Sequence, residues 1–129
     1  MAFLHSPTLW TVLGAVLAGM AVALGAYGWH DLEADEEIRE IFMLSVQYHM
    51  WHALGLILVG WRCSVGPASA KWAALAGIAF VLGILLFSGN LYAFAITEVL
   101  PVPGGAPIGG FCFMAGWGLL AISALARSG

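Results

Sequence analysis

Four apolar stretches, each long enough to cross a bilayer, take up most of this chain and leave it few folds to choose from. The first, from about Thr8 to Trp29, carries no charged side chain, and neither does the last, from about Pro107 to Ala126. Two more spans are expected from about Glu37 to Trp61 and from about Ala70 to Ile96. A membrane-crossing helix needs roughly 20 apolar residues, and a helix satisfies its own backbone groups where no water can. The expected fold is therefore all-α, a four-transmembrane-helix bundle forming one integral membrane domain over residues 1–129.

Composition agrees, with 62% hydrophobic and only 9% charged residues and a mean hydropathy of +0.96. A soluble domain carries roughly 25% charged residues, and nothing beyond the four spans is long enough to build one. The opening MAFLHSPTLW lacks the positively charged region of a cleavable secretory signal, so the first run is read as a retained span. Ser6 followed by Pro7 suits a helix start, and Pro107 is expected to open the last helix. The segment Pro101-Val102-Pro103-Gly104-Gly105-Ala106 cannot continue a helix and is read as the loop between spans three and four.

Charge placement orients the bundle. One side holds both termini and the loop between spans two and three, with Arg62, Lys71 and Arg127 and no acid. The other holds Asp31, Glu33, Asp35, Glu36, Glu37, Glu40 and Glu98 against a single Arg39. The positive-inside rule then puts both termini in the cytoplasm and the acidic first loop on the periplasmic side of an inner membrane. The acids read as the solvated first turn of helix two, or as a rim that docks a basic partner. No basic cluster with interleaved aromatics points to nucleic acid. Cys63 and Cys112 are expected near opposite faces of the membrane, too far apart for a disulfide.

Small residues recur at i, i+4 spacing, at Gly14/Ala18, Ala15/Gly19, Ala21/Gly25, Ala73/Gly77, Ala79/Gly83 and Cys112/Gly116. Such seams let helix backbones approach closely, within a tight bundle or against other chains. Trp10, Trp29, Trp61 and Trp72, near span ends, fit interfacial anchoring.

The stretch Gln47-Tyr48-His49-Met50-Trp51-His52 sets two histidines inside a span. Counting from Ile41 at about 1.5 Å per residue places His49 about 12 Å and His52 about 16 Å deep, on one helical face with Ser45 and Leu56. Ser88 and Asn90 fall at similar depth, with Tyr92 nearer the surface and His30 at the outer end of span one. Three readings stay open. Neutral histidines can hydrogen-bond between helices to Ser88, Asn90 or Tyr48. His49 and His52 can supply two ligands to a metal, copper being favoured by nearby Met43 and Met50, or one of them can ligate haem iron. A third possibility is proton handling or a quinone-like ligand in an outer-half pocket around His52.

No nucleophile elbow, phosphate loop or paired intramembrane carboxylates support an enzyme, and no inverted repeat supports transport. The expectation is a non-catalytic accessory or assembly subunit packing against other integral membrane subunits or itself. The alternative is a binding protein for a metal, haem or quinone-like ligand.

Leu24-Gly25-Ala26-Tyr27-Gly28-Trp29-His30, Tyr48 with His52-Ala53-Leu54, Leu86-Phe87-Ser88-Gly89-Asn90-Leu91-Tyr92, Pro107-Ile108-Gly109-Gly110 and Ala115-Gly116-Trp117 touch all four spans in order. This pattern resembles the YgdD-like small membrane proteins, a family of unknown function with bacterial and mitochondrial relatives. The resemblance implies a four-span inner-membrane protein, with His30, Tyr48, His52, Ser88, Gly89 and Tyr92 on motif positions. His49 lies off the motif, so a two-histidine metal site would be particular to this chain.

Overall fold

Ser6 and Asp35 start the first two helices in the same way, each by turning a side-chain oxygen onto a backbone N–H that the helix leaves unpaired. Ser6 Oγ accepts from Leu9 N at 3.2 Å and Asp35 Oδ1 from Ile38 N at 2.9 Å. In the computed structural model, which describes residues 2–126, a short 3-10 turn (Ala2–His5) leads into α1 (Pro7–His30) and α2 (Glu36–Val65). Helix α3 (Pro67–Thr97) and α4 (Gly105–Leu125) complete four helices that are long and apolar enough to cross a membrane. Arg127, one of the basic residues on which the expected orientation rests, lies outside the described residues.

The connections are shorter than the sequence suggests. Helix α2 continues past Trp61 to Val65 and α3 begins at Pro67, so Gly66 alone joins them, and Arg62 and Ser69 are helical rather than in a loop. Helix α4 starts at Gly105, two residues before Pro107. Gly104, at φ 77°, supplies the left-handed turn that precedes it.

Helix α3 also departs from a plain span. Residues Ile84–Gly89 form a π-helical turn between α-helical pieces Pro67–Gly83 and Asn90–Thr97. A π turn carries one extra residue and re-aims the side chains beyond it, and such turns gather at functional sites. Here it seats the Ser88 hydroxyl on the Ser45 carbonyl of α2 at 2.9 Å.

Glycines set the closest approaches. A Cβ at Gly14 would stand 2.7 Å from Ala53 O on α2, and one at Gly109 would stand 2.6 Å from Phe87 N in the π turn. Around these contacts a core of Trp10, Leu56, Val59, Ala73, Phe80 and Phe113 joins all four helices, and a smaller cluster of Leu32, Phe42 and Ala95 closes the acidic end. Trp10 is therefore no interfacial anchor. It is 3% exposed, lies against Gly77 and donates its indole N–H to Leu4 O at 2.7 Å. Helix α1 packs along α2, α2 along α3 and α3 along α4, while α2 and α4 meet only sparingly and leave an open cleft.

Two arginines on α2 tie its neighbours. Arg39 donates to the carbonyls of Gly28, Trp29, Leu32 and Ala34 at 2.9–3.3 Å, covering the end of α1 and the loop beyond. At the other end Arg62 donates to the carbonyl and hydroxyl oxygens of Ser123 in the last turn of α4. Both guanidinium groups meet carbonyls left over at a helix C-terminus, where the helix dipole favours a cation.

Candidate functional site

His49 and His52 stand one turn apart on α2 and both are buried, 2% and 3% exposed. Their rings are committed to different helices. His49 Nδ1 lies 2.9 Å from the Tyr92 hydroxyl of α3. Its Nε2 has no hydrogen-bond partner among the described residues. Phe42 packs its ring, tilted, against Tyr92 at 4.9 Å and against Tyr27 at 5.7 Å, so this pair is walled in by α1, α2 and α3.

His52, about 60° further round the same face of the helix, is turned toward α4. Its Nδ1 stands 2.6 Å from Tyr48 O, and a carbonyl only accepts, so Nδ1 carries the proton. Trp117 Nε1–H donates to Nε2 at 3.0 Å, which makes Nε2 the acceptor. The two partners together specify one neutral tautomer with no nitrogen left over. The ring lies flat on Phe113, centroids 3.5 Å apart and planes 11° apart, with Phe80 edge-on at 5.4 Å.

Of the three open readings, the hydrogen-bonding one meets different partners in the structure, Tyr92, Trp117 and the main chain of Tyr48. Ser88 and Asn90 are engaged elsewhere. Asn90 accepts from Val102 N at 3.1 Å and donates to Val102 O at 2.8 Å, clamping the loop before α4. His30 is exposed at the end of α1. Of the six residues expected around one pocket, the structure gathers Tyr48 and His52 on the cleft, places Tyr92 against His49, and uses Ser88 and Asn90 as structural ties. For a metal centre the donors diverge, since both His52 nitrogens are occupied. Among the described residues no group of three or more His, Cys, Asp or Glu is placed to hold a metal ion.

The cleft between α2 and α4 widens beside His52 into a groove of about 450 Å³. Its walls are Tyr48, Trp51, Phe87, Phe111, Met114 and Trp117, and no charged residue lines it. Trp51, Phe111 and Met114 are 50–67% exposed, so the groove opens sideways through the apolar surface. Trp117 is the member that sequence reasoning missed. Its mid-span position was the available signal, because an interfacial anchor belongs at a span end.

Four apolar helices, neutral polar pairs buried between them and an aromatic cleft on the side define a small four-span integral membrane protein. The chain belongs to the DUF423 family, a protein family of unknown function whose model matches residues 24–110. A UPF0382 membrane protein of Staphylococcus haemolyticus is 38% identical over 117 residues, covering 89% of this chain and 93% of the relative. One from Staphylococcus epidermidis is 38% identical over 120 residues, covering 92% and 96%. The UPF0382 membrane protein YwdK of Bacillus subtilis is 35% identical over 120 residues, covering 88% and 94%. No solved structure matches the chain significantly.

Proposed function

We propose that this chain is a non-catalytic inner-membrane protein, an accessory or assembly subunit that packs α1 against a transmembrane helix of another membrane subunit or of a second copy. The observation that carries this reading is the outward seam of α1. Gly14, Ala21 and Gly28 are buried, whereas Ala15, Gly19 and Ala23 face outward, and a Cβ at Gly19 would meet nothing within 4 Å. Lipid gives no hydrophobic contrast to hold helices together, so small residues repeated every fourth position matter where another backbone comes close. The apolar window of α1 is only 17% buried, against 44% for α3, leaving α1 free to take a neighbour.

In this reading both termini are cytoplasmic and the acidic loop after α1 is periplasmic, as the basic residues at the opposite end favour. The finer placement among YgdD-like proteins, on the motif residues His30, Tyr48, His52, Ser88, Gly89 and Tyr92, belongs to the same proposal. A copper or haem-iron centre at His49 and His52 is the weaker reading, since ligation through His52 Nε2 requires its hydrogen bond from Trp117 to break.

The test is Gly19→Ile, compared with wild type by native electrophoresis and mass measurement after extraction in mild detergent. The monomer has room for the larger side chain, so the variant folds, and the complex should be lost. Wild type recovered only as a lone monomer, or a complex indifferent to Gly19→Ile, sinks the reading.

A further inference from the structure

The α2/α4 groove holds one polar group that the fold does not use. Tyr48 packs its ring against Trp51 at 5.0 Å and Phe87 at 4.6 Å, yet its hydroxyl has no hydrogen-bond partner among the described residues. This contrasts with the other ring polar atoms of the groove, since both His52 nitrogens and the Trp117 N–H are paired. Tyr48 lies seven residues beyond Ile41, about 10 Å down the helix from the acidic end at 1.5 Å per residue. At that depth lipid offers nothing to a hydroxyl donor, and a polar group left unpaired there is costly.

The walls narrow the occupant. No Asp, Glu, Lys or Arg lines the groove, so the occupant is neutral. Its surface consists mainly of aromatic faces, which favour a flat ring over a branched chain. The volume of about 450 Å³ lies within the range of small-molecule sites. It opens through the apolar flank of the bundle, so the occupant arrives dissolved in the bilayer. The neutral His52–Trp117 pair cannot donate further, leaving the Tyr48 hydroxyl as the single donor.

We propose that this groove binds a neutral, lipid-soluble ring compound bearing a carbonyl oxygen, of the quinone class, with that oxygen accepting a hydrogen bond from Tyr48. His52 acts as a positioning residue that holds Trp117 along the wall. The site is independent of the α1 seam, and Gly19→Ile leaves it intact.

The purified full chain in lipid nanodiscs is titrated with a benzoquinone carrying a decyl tail, and quenching of tryptophan fluorescence is followed, since Trp51 and Trp117 line the site. The control probe is the corresponding dimethoxybenzene, which has the ring and tail but no carbonyl. The expected result is saturable quenching by the quinone that weakens about five-fold or more in Tyr48→Phe, the size of one lost hydrogen bond. Displacement of the bound quinone by the dimethoxy compound should be weak. Gly110→Leu, at a groove position where a Cβ meets nothing within 4 Å, should abolish saturation without disturbing the fold. Non-saturable quenching, equal affinity in Tyr48→Phe, or equal competition by the dimethoxy compound overturns the proposal. The last two outcomes would make the groove a seat for lipid chains.

Discussion

His49 and His52 are the same residue type on the same helix, three positions apart, and their surroundings could hardly differ more. His49 sits where three helices close on one another, with Tyr92 at one nitrogen and no partner at the other. His52 forms the floor of an open groove, yet both its nitrogens are paired. The enclosed region leaves a buried ring nitrogen without a partner. The open region pairs both ring nitrogens of its histidine and leaves only the Tyr48 hydroxyl free. Burial of a histidine therefore says little by itself about its role in this protein; which helix its neighbour belongs to decides that.

The largest effect that would sharpen this contrast comes from two adjacent glycines of α4. Gly109 meets the backbone of the π turn, and Gly110 faces the groove. Gly109→Ala must push α4 away from α3 and should cost about 3 kcal/mol, at the upper end for an overpacked core. Gly110→Ala should be stabilising by roughly 0.5 kcal/mol, through helix propensity alone. Unfolding in mixed micelles measures both, and equal effects would mean that the groove is filled in the folded protein.

Tyr92→Phe is next. It leaves His49 without any partner in a region that cannot relax, so its cost should approach the upper range for membrane proteins, about 1.5 kcal/mol. Trp117→Phe frees only one nitrogen of His52, at the edge of an open cleft where neighbouring side chains can shift. Its cost should be closer to the average, about 0.6 kcal/mol. If the same unfolding measurement reversed the order of these two variants, the enclosure of His49 would not be what distinguishes the sites.

Much of the frame was legible from local signals. The Ser6-Pro7 start, the acids leading into α2 and the Pro-Gly loop after Glu98 all act within a few residues of where they stand, and the structure has them in those roles, save that Gly105 and Ala106 already belong to the last helix. The site was legible in part. Tyr48 and His52 were identified from polar side chains in an apolar span, but Trp117 lies 65 residues from His52 in the chain. The π turn was not foreseen either, since Ile84–Gly89 reads as ordinary apolar helix. Arg39 looked like one stray cation among acids until the fold brought four carbonyls to it.

The number of spans was determined by the sequence itself and their ends to within a few residues, because hydropathy and capping are local properties. Only the tertiary structure decided which face of each helix turns inward. In water an apolar stripe marks the buried face, but a membrane helix is apolar on both its lipid and its protein side, so the pattern carries no such mark. Gly14 and Ala15 are equally small and adjacent. Only the packing of α1 on α2 sends one into the core and leaves the other on the surface.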